Sequence, residues 1–117
     1  MAKTLNFNTI KKKYLTVTFR DEKKTTVMIG TPNKAIMDEL VSLNNDLKDM
    51  KDENNRTHID DDTMDDLFRV CARVINNNKG GVKMSKEKLE ELFDFEDMLI
   101  FFTAYMEFME ELTNTKN

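Results

Sequence analysis

The side chains that could do chemistry in this chain begin with a single histidine and a single cysteine. His58 stands in a polar stretch and Cys71 follows about a dozen residues later among apolar neighbours, a spacing that matches no zinc site. No base lies near Cys71 in sequence, so we expect a small buried hydrophobic residue and not a nucleophile. Nothing around His58 supports a role as ligand or base.

Three clusters of acidic or glycine-containing residues also lack the spacing that their chemistry needs. HIDDDTMDD (58–66) has five carboxylates, but a calcium loop needs alternating oxygen donors, a glycine at the bend and a closing glutamate. NNNKGG (76–81) lacks the preceding strand and the Lys-Ser/Thr pair of a phosphate loop. The acids of DFED (94–97) suit a helix start, although an enzyme would have to build its site there. We therefore predict no enzyme, cofactor, metal site or small-molecule substrate.

Composition excludes further classes of protein. The chain has 117 residues, of which 34% are charged, and we expect one domain spanning 1–117. A formal net charge of -4 argues against nucleic acid, because phosphate binding needs clustered cations. One cysteine excludes an internal disulfide and favours a reducing compartment, for which the cytoplasm is the simplest expectation. No run reaches the roughly 20 apolar residues of a membrane span.

The elements that must position any site begin with a β-hairpin in residues 1–30. YLTVTFR (14–20) alternates strictly, with Leu15, Val17 and Phe19 on one side, and TTVMIG (25–30) resumes a β-branched run after a polar turn. These two strands should pair antiparallel. Leu5 and Phe7 are candidates for a third, edge strand guarded by nearby lysines.

Residues 31–113 predict about four helices, and 114–117 a flexible tail, so that the fold class is α+β and mainly helical. Thr31 and Pro32 start the first helix, before a loop at 51–58, and the second begins near Asp62 and ends in NNNKGG. Ser85 and Asp94 cap the last two helices. We expect each of the first three helices to bury one apolar face. The expected buried positions are Ile36, Leu40, Leu43, Leu47 and Met50 in the first helix, Met64, Leu67, Phe68, Cys71, Val74 and Ile75 in the second, and Leu89, Leu92 and Phe93 in the third.

The last helix is the most apolar segment, since nine of the thirteen residues of DMLIFFTAYMEFM (97–109) are large and apolar. One explanation is a central helix that its own domain surrounds. The other is that part of its surface is exposed and binds another copy or a client segment. We expect Met98, Phe102 and Leu112 to face inward. The predicted partner-binding residues are Phe101, Tyr105, Phe108 and Met109.

Charge is distributed unevenly along the chain. Residues 1–20 carry five cations and no acid, whereas residues 80–117 carry four lysines and nine acids. The two blocks are either separately solvated faces or, alternatively, the two sides of a head-to-tail contact between copies that builds rings or filaments.

Four features follow one another along the chain: a short β N-terminus (YLTVTFRDEKKTTVMIG), a Thr-Pro helix start, an acidic second helix closing in INNNKGG, and EKLEELFDFEDMLIFFTAYMEFMEEL. In this order the chain resembles the tail assembly chaperones of long-tailed phages and prophages of Gram-positive bacteria. The resemblance covers about residues 14 to 112. The loop 51–58 has no counterpart in it.

The resemblance implies a non-enzymatic protein that self-associates and binds the tape measure protein and the major tail protein during tail assembly in the host cytoplasm. It also implies a longer product made by programmed frameshifting, and Thr115, Lys116 and Asn117 allow the slippery coding ACA AAA AAC. The alternative is a small helical adaptor or regulatory protein of a prophage or bacterium that acts as a dimer.

Overall fold

A computed structural model describes residues 4–8, 11–49 and 59–113. It confirms an α+β, mainly helical fold, in which an N-terminal antiparallel hairpin precedes four helices. The expected loop 51–58, Met50 and the tail 114–117 lie outside the described residues. The elements are β1 (Leu15–Thr18), β2 (Thr26–Ile29), α1 (Lys34–Asp49), α2 (Asp61–Asn76), α3 (Lys86–Leu92) and α4 (Phe95–Thr113).

The hairpin has the predicted register and faces. Leu15 pairs with Ile29 and Val17 with Val27, which puts the apolar side chains of both strands on the inner face of the sheet. The turn is closed by Asp21, whose carboxylate accepts the N–H of Thr25 at 2.7 Å. The hydrogen bonds from Thr25 lower the pKa of this carboxyl. The turn chemistry thus fixes the register that buries the apolar face.

The predicted third strand is wrong. Within the described residues the sheet has two strands, and Leu5 and Phe7 are each 71% exposed in a segment without strand structure. Alternation of two apolar residues alone does not make a strand, because a strand also needs an edge to pair with and a surface to cover.

Side-chain caps start the helices, in one case at an unexpected residue. Asp60 accepts the N–H of Thr63, and Ser85 accepts that of Lys88, which confirms the predicted starts of α2 and α3. At α1 the predicted Thr31 cap is wrong, because the side chain of Asn33 accepts the N–H of Ile36 at 2.9 Å. Asn33 is a strong cap in its own right, so the helix begins two residues later.

The core forms where the hairpin, α1, α2 and α4 meet. The predicted apolar faces of α1 and α2 are confirmed as buried, except that Leu47 and Met64 are half-buried. Val70 and Ala72 of α2 are buried as well, so this helix is covered over a wider arc than its stripe predicts. Among the described helices none is long and apolar enough to cross a membrane.

Two asparagines after α2, Asn77 and Asn78, tie the sheet to the helices. Asn78 donates to the carbonyls of Ile75 and Val82 at 2.7 Å each and accepts the N–H of Val82. The side-chain amide of Asn77 donates to the backbone carbonyl of Thr31, and the backbone carbonyl of Asn77 accepts the N–H of Gly30. The NNNKGG segment therefore ends the helix, as predicted, and also holds one edge of β2.

Candidate functional site

The outer face of α4 is the place where the sequence predicts partner binding, and the structure corrects which residues lie there. Phe101 is 4% exposed, Tyr105 1%, and Phe108 and Met109 8% each. Their predicted exposure is wrong, and all four belong to the core together with Met98 and Phe102. Leu112, predicted to face inward, is half-buried.

Helix geometry explains this burial. At about 100° per residue, the seven positions 98, 101, 102, 105, 108, 109 and 112 all fall within an arc of about 120°. The four predicted partner residues and the three predicted inward ones therefore form one face of the helix, which the domain covers. The apolar surface looked wider in the sequence because Ile100 lies on the opposite face.

A row of aromatic rings fixes α4 against the sheet and α3. Ring centroids are 5.5 Å apart for Phe19 and Phe93, 5.9 Å for Phe93 and Phe101, and 6.3 Å for Phe101 and Tyr105. The hydroxyl of Tyr105 donates to the carbonyl of Gly30 at 2.9 Å. Burial raises the pKa of Tyr105, so this hydroxyl stays protonated and keeps the bond.

Ile100 is the exposed apolar residue at the centre of the polar face of α4. It is 63% exposed, and Thr103, Glu107 and Glu111 follow it at helical spacing. An isoleucine among polar residues at this spacing is the sequence signal that identifies the exposed face.

Two depressions with volumes of about 470 Å³ and 620 Å³ lie between β1 and α4 and meet at Ile100. They share Leu15, Ile100 and Ala104, so they form one continuous depression, which we call the edge groove. Its lining consists of residues 14–20 of the hairpin, Leu92, Phe93, Asp97, Leu99, Ile100, Phe101, Thr103, Ala104, Glu107, Phe108 and Glu111. Of the four predicted partner residues, Phe101 and Phe108 line this groove from the core side, while Tyr105 and Met109 do not.

One wall of the edge groove is an open strand edge. The N–H of Phe19 donates to Thr25 at 2.8 Å, and since hydrogen-bonded pairs alternate, the N–H and C=O of Thr16 and Thr18 point away from β2. In the part of the chain that the structure describes, no backbone group pairs with them on that side. The opposite edge of the sheet is covered, because Lys79 donates to the carbonyl of Met28.

Each end of the edge groove carries side chains of both charges. At one end Arg20 holds Asp97 through two hydrogen bonds of 3.0 and 3.1 Å, and this pairing lowers the pKa of Asp97. The start of β1 lies at the other end, beside the exposed Glu107 and directly after the exposed lysines at 11–13. Since β1 and α4 run in opposite directions along the groove, the start of the strand meets the C-terminal part of the helix.

The residues considered for chemistry do not come together. Cys71 is fully buried, and burial raises the pKa of its thiol. Asp94 and Asp97 cap α4 reciprocally, each side chain accepting the N–H of the other residue. His58 lies outside the described residues, within which no cluster of three or more potential metal ligands occurs.

Comparison with protein-family models, with curated proteins and with solved structures gives no match to this chain. The edge groove is thus the candidate functional site on geometry alone: an apolar depression with an open strand edge as one wall and a helix as the other.

Proposed function

We propose that this protein is a non-enzymatic tail assembly chaperone of a phage or prophage, which self-associates and binds the tape measure protein and the tail protein during tail assembly. The observation that carries the proposal is the edge groove. It combines an exposed apolar residue, unpaired strand backbone and a highly charged surrounding surface, the features that a protein holding an aggregation-prone client needs.

The groove suits weak, repeated contacts. From Asp97 to Glu111 the helix wall is about 21 Å long, which spans about six residues of extended chain. One such contact is small compared with a stable protein interface, so tight holding of a long client requires many copies bound along it. The proposal therefore includes both client binding in the groove and self-association of the copies that hold no client.

The client test uses co-expression of the full chain with the tape measure protein encoded beside it. We expect the wild type to keep the client soluble and to elute with it. Ile100→Lys should abolish this, because it puts a charge in the middle of the groove without emptying the core. Val41→Lys is the matched control, since Val41 is 48% exposed on α1 away from the groove.

Two results would contradict the proposal. One is a gene neighbourhood without tail genes, and the other is an equal loss of client solubility in Ile100→Lys and Val41→Lys. The adaptor or regulatory alternative predicts a dimer that does not grow with concentration, whereas the chaperone predicts larger assemblies in light scattering.

The coding of the C-terminus offers a further check. If Thr115, Lys116 and Asn117 are encoded as ACA AAA AAC with an overlapping second frame, a longer product is expected, and mass spectrometry of the expressed gene would detect it. A sequence without the heptamer removes this support.

A further inference from the structure

The N-terminal segment 4–8 carries the two most exposed large apolar side chains in the described part of the chain. Leu5 and Phe7 are each 71% exposed, and they alternate with Thr4, Asn6 and Asn8. In an extended conformation the two apolar side chains therefore point to one side and the polar ones to the other. This pattern is that of a half-buried strand, although no part of the chain that the structure describes covers its apolar side.

The edge groove requires a segment of this pattern. The backbone N–H and C=O groups of Thr16 and Thr18 face outward from the sheet at every second residue. An added strand forms its hydrogen bonds with an edge strand at this same spacing. Beside that edge, Ile100 and Ala104 offer the apolar surface on which alternate side chains of the added strand would rest. A short segment with apolar residues at two alternate positions fits both requirements.

We infer that residues 4–8 of one copy bind the edge groove of a second copy and add a third strand to its hairpin. Leu5 and Phe7 then cover Ile100 and Ala104, while their backbone pairs with Thr16 and Thr18. The contact joins two different surfaces of the protein, so it repeats from copy to copy and builds rings or longer assemblies.

Charge selects the direction of the added strand. The lysines at 11–13 follow the segment and are exposed. If the segment ran antiparallel to β1, these lysines would come to the start of β1, where the same three lysines of the second copy lie. A parallel segment brings them to the other end of the groove, where Arg20 is paired with Asp97 and the nearby Asp94 and Glu96 leave an excess of negative charge.

In the structure, residues 4–8 do not occupy the edge groove of their own chain. A segment bound in its own groove would bury Leu5 and Phe7, yet both side chains are among the most exposed. An open strand edge invites pairing with another chain, and a second copy supplies the missing strand at the local concentration that assembly creates. The inference rests on the self-association included in the proposed function and names the contact that produces it. A groove that holds this segment is closed to the client, so a client must displace the segment from the groove that it binds.

The decisive experiment mixes two variants of the full chain, each deficient on one side of the contact. The segment variant is Leu5→Ser with Phe7→Ser, and the groove variant is Ile100→Lys. Both change exposed side chains, so both should fold, which circular dichroism and thermal melting check. By light scattering each variant alone should have the mass of one chain, 13.7 kDa, while the wild type forms larger species.

The mixture should form a pair containing one copy of each variant, because the groove variant still supplies a segment and the segment variant still supplies a groove. Native mass spectrometry with one partner isotope-labelled identifies this pair. The control variants Thr4→Ser with Asn8→Ser, and Val41→Lys, should assemble as the wild type does. A monomeric wild type, or a mixture that stays monomeric, would overturn the inference, and so would a segment variant that assembles normally.

Hydrogen exchange separates strand addition from a contact of side chains alone. The amides of Thr16 and Thr18 should exchange at least tenfold more slowly in the assembled wild type than in the segment variant. Equal exchange in the two proteins would show that no strand is added. Protection in a wild type that light scattering finds monomeric would mean that the segment binds in its own chain, which also contradicts the inference.

The direction of the strand has its own test. Glu96→Lys should weaken assembly about two- to fivefold at low salt, as expected for an exposed ion pair. Replacing Lys11, Lys12 and Lys13 by glutamate in the same chain should restore it. If the combined variant assembles no better than Glu96→Lys, the parallel arrangement is wrong.

The outcomes for contact and function are distinguishable. Complementation between the two variants, together with unchanged client solubility in Ile100→Lys, would support the contact and contradict the chaperone function. Loss of client solubility in Ile100→Lys, together with normal assembly of the Leu5→Ser, Phe7→Ser variant, would support the function and contradict the contact.

Discussion

Truncation to alanine should affect the stability of the fold very differently at two neighbouring residues of α4. Phe101 is 4% exposed and its ring lies between those of Phe93 and Tyr105, whereas Ile100 is 63% exposed on the other face of the helix. Phe101→Ala removes a buried ring and leaves a cavity, which should lower the free energy of unfolding by about 3–5 kcal/mol. Single domains have a total free energy of unfolding of about 5–15 kcal/mol, so the loss for Phe101→Ala would be a large fraction of it.

Ile100→Ala should change the free energy of unfolding by about 0.5 kcal/mol or less. Most of its side chain is already in water, and alanine has a better helix propensity that offsets the small loss of contact. Urea denaturation followed by circular dichroism measures both values. The measurement belongs in the Leu5→Ser, Phe7→Ser background, where we expect single chains, so that assembly does not add to the apparent stability.

Similar losses of stability in the two variants would contradict the assignment of Phe101 to the buried face of α4 and of Ile100 to the exposed face. A loss below about 1 kcal/mol for Phe101→Ala would mean that its ring is not part of a packed core. It would restore the original prediction that Phe101 faces a partner. A loss of several kcal/mol for Ile100→Ala would mean that the edge groove is closed in the free protein.

Three further predictions concern the contacts that hold the sheet, α2 and α4 together. Tyr105→Phe should cost about 1 kcal/mol in urea denaturation, because the carbonyl of Gly30 loses its donor; an unchanged midpoint would exclude a role for the hydroxyl. Asn78→Ala removes three hydrogen bonds and should cost about 1–3 kcal/mol, while Asn78→Asp, which keeps the acceptor, should cost less than the alanine variant. Asp97 has a lowered pKa in the folded protein, so its pairing stabilises the fold above the ordinary aspartate pKa of about 3.9 and is lost as the pH falls further. The stability difference between wild type and Asp97→Asn should therefore shrink between about pH 6 and pH 3, and a constant difference would contradict the pairing.

Much of the fold could be predicted from the sequence because local patterns determined it. The period-two alternation of 14–20 gave the strand and its inner face, and the caps at Ser85 and Asp94 gave the helix starts. These features depend on residues a few positions apart. The position of the first cap was missed because Thr31 and Asn33 are both acceptable caps, and only the path of the chain into α1 selects between them.

The candidate site was only partly predictable. The sequence indicated the helix that forms one wall of the edge groove, but it placed the exposed surface on the buried side. Hydrophobicity cannot distinguish a core residue from an interface residue, since both are large and apolar. The edge groove depends in addition on β1 and α4 lying side by side, although Arg20 and Asp97, which hold them together, are 77 residues apart in the sequence.

The sequence by itself determined an antiparallel hairpin followed by about four helices, with a very apolar last helix and opposite charges at the two ends of the chain. Only the tertiary structure decided that this helix turns Phe101, Tyr105, Phe108 and Met109 into the core and leaves Ile100 in a groove beside an unpaired strand. The physical reason is that a helix face is buried or exposed according to what is packed against it, and those neighbours come from distant parts of the chain.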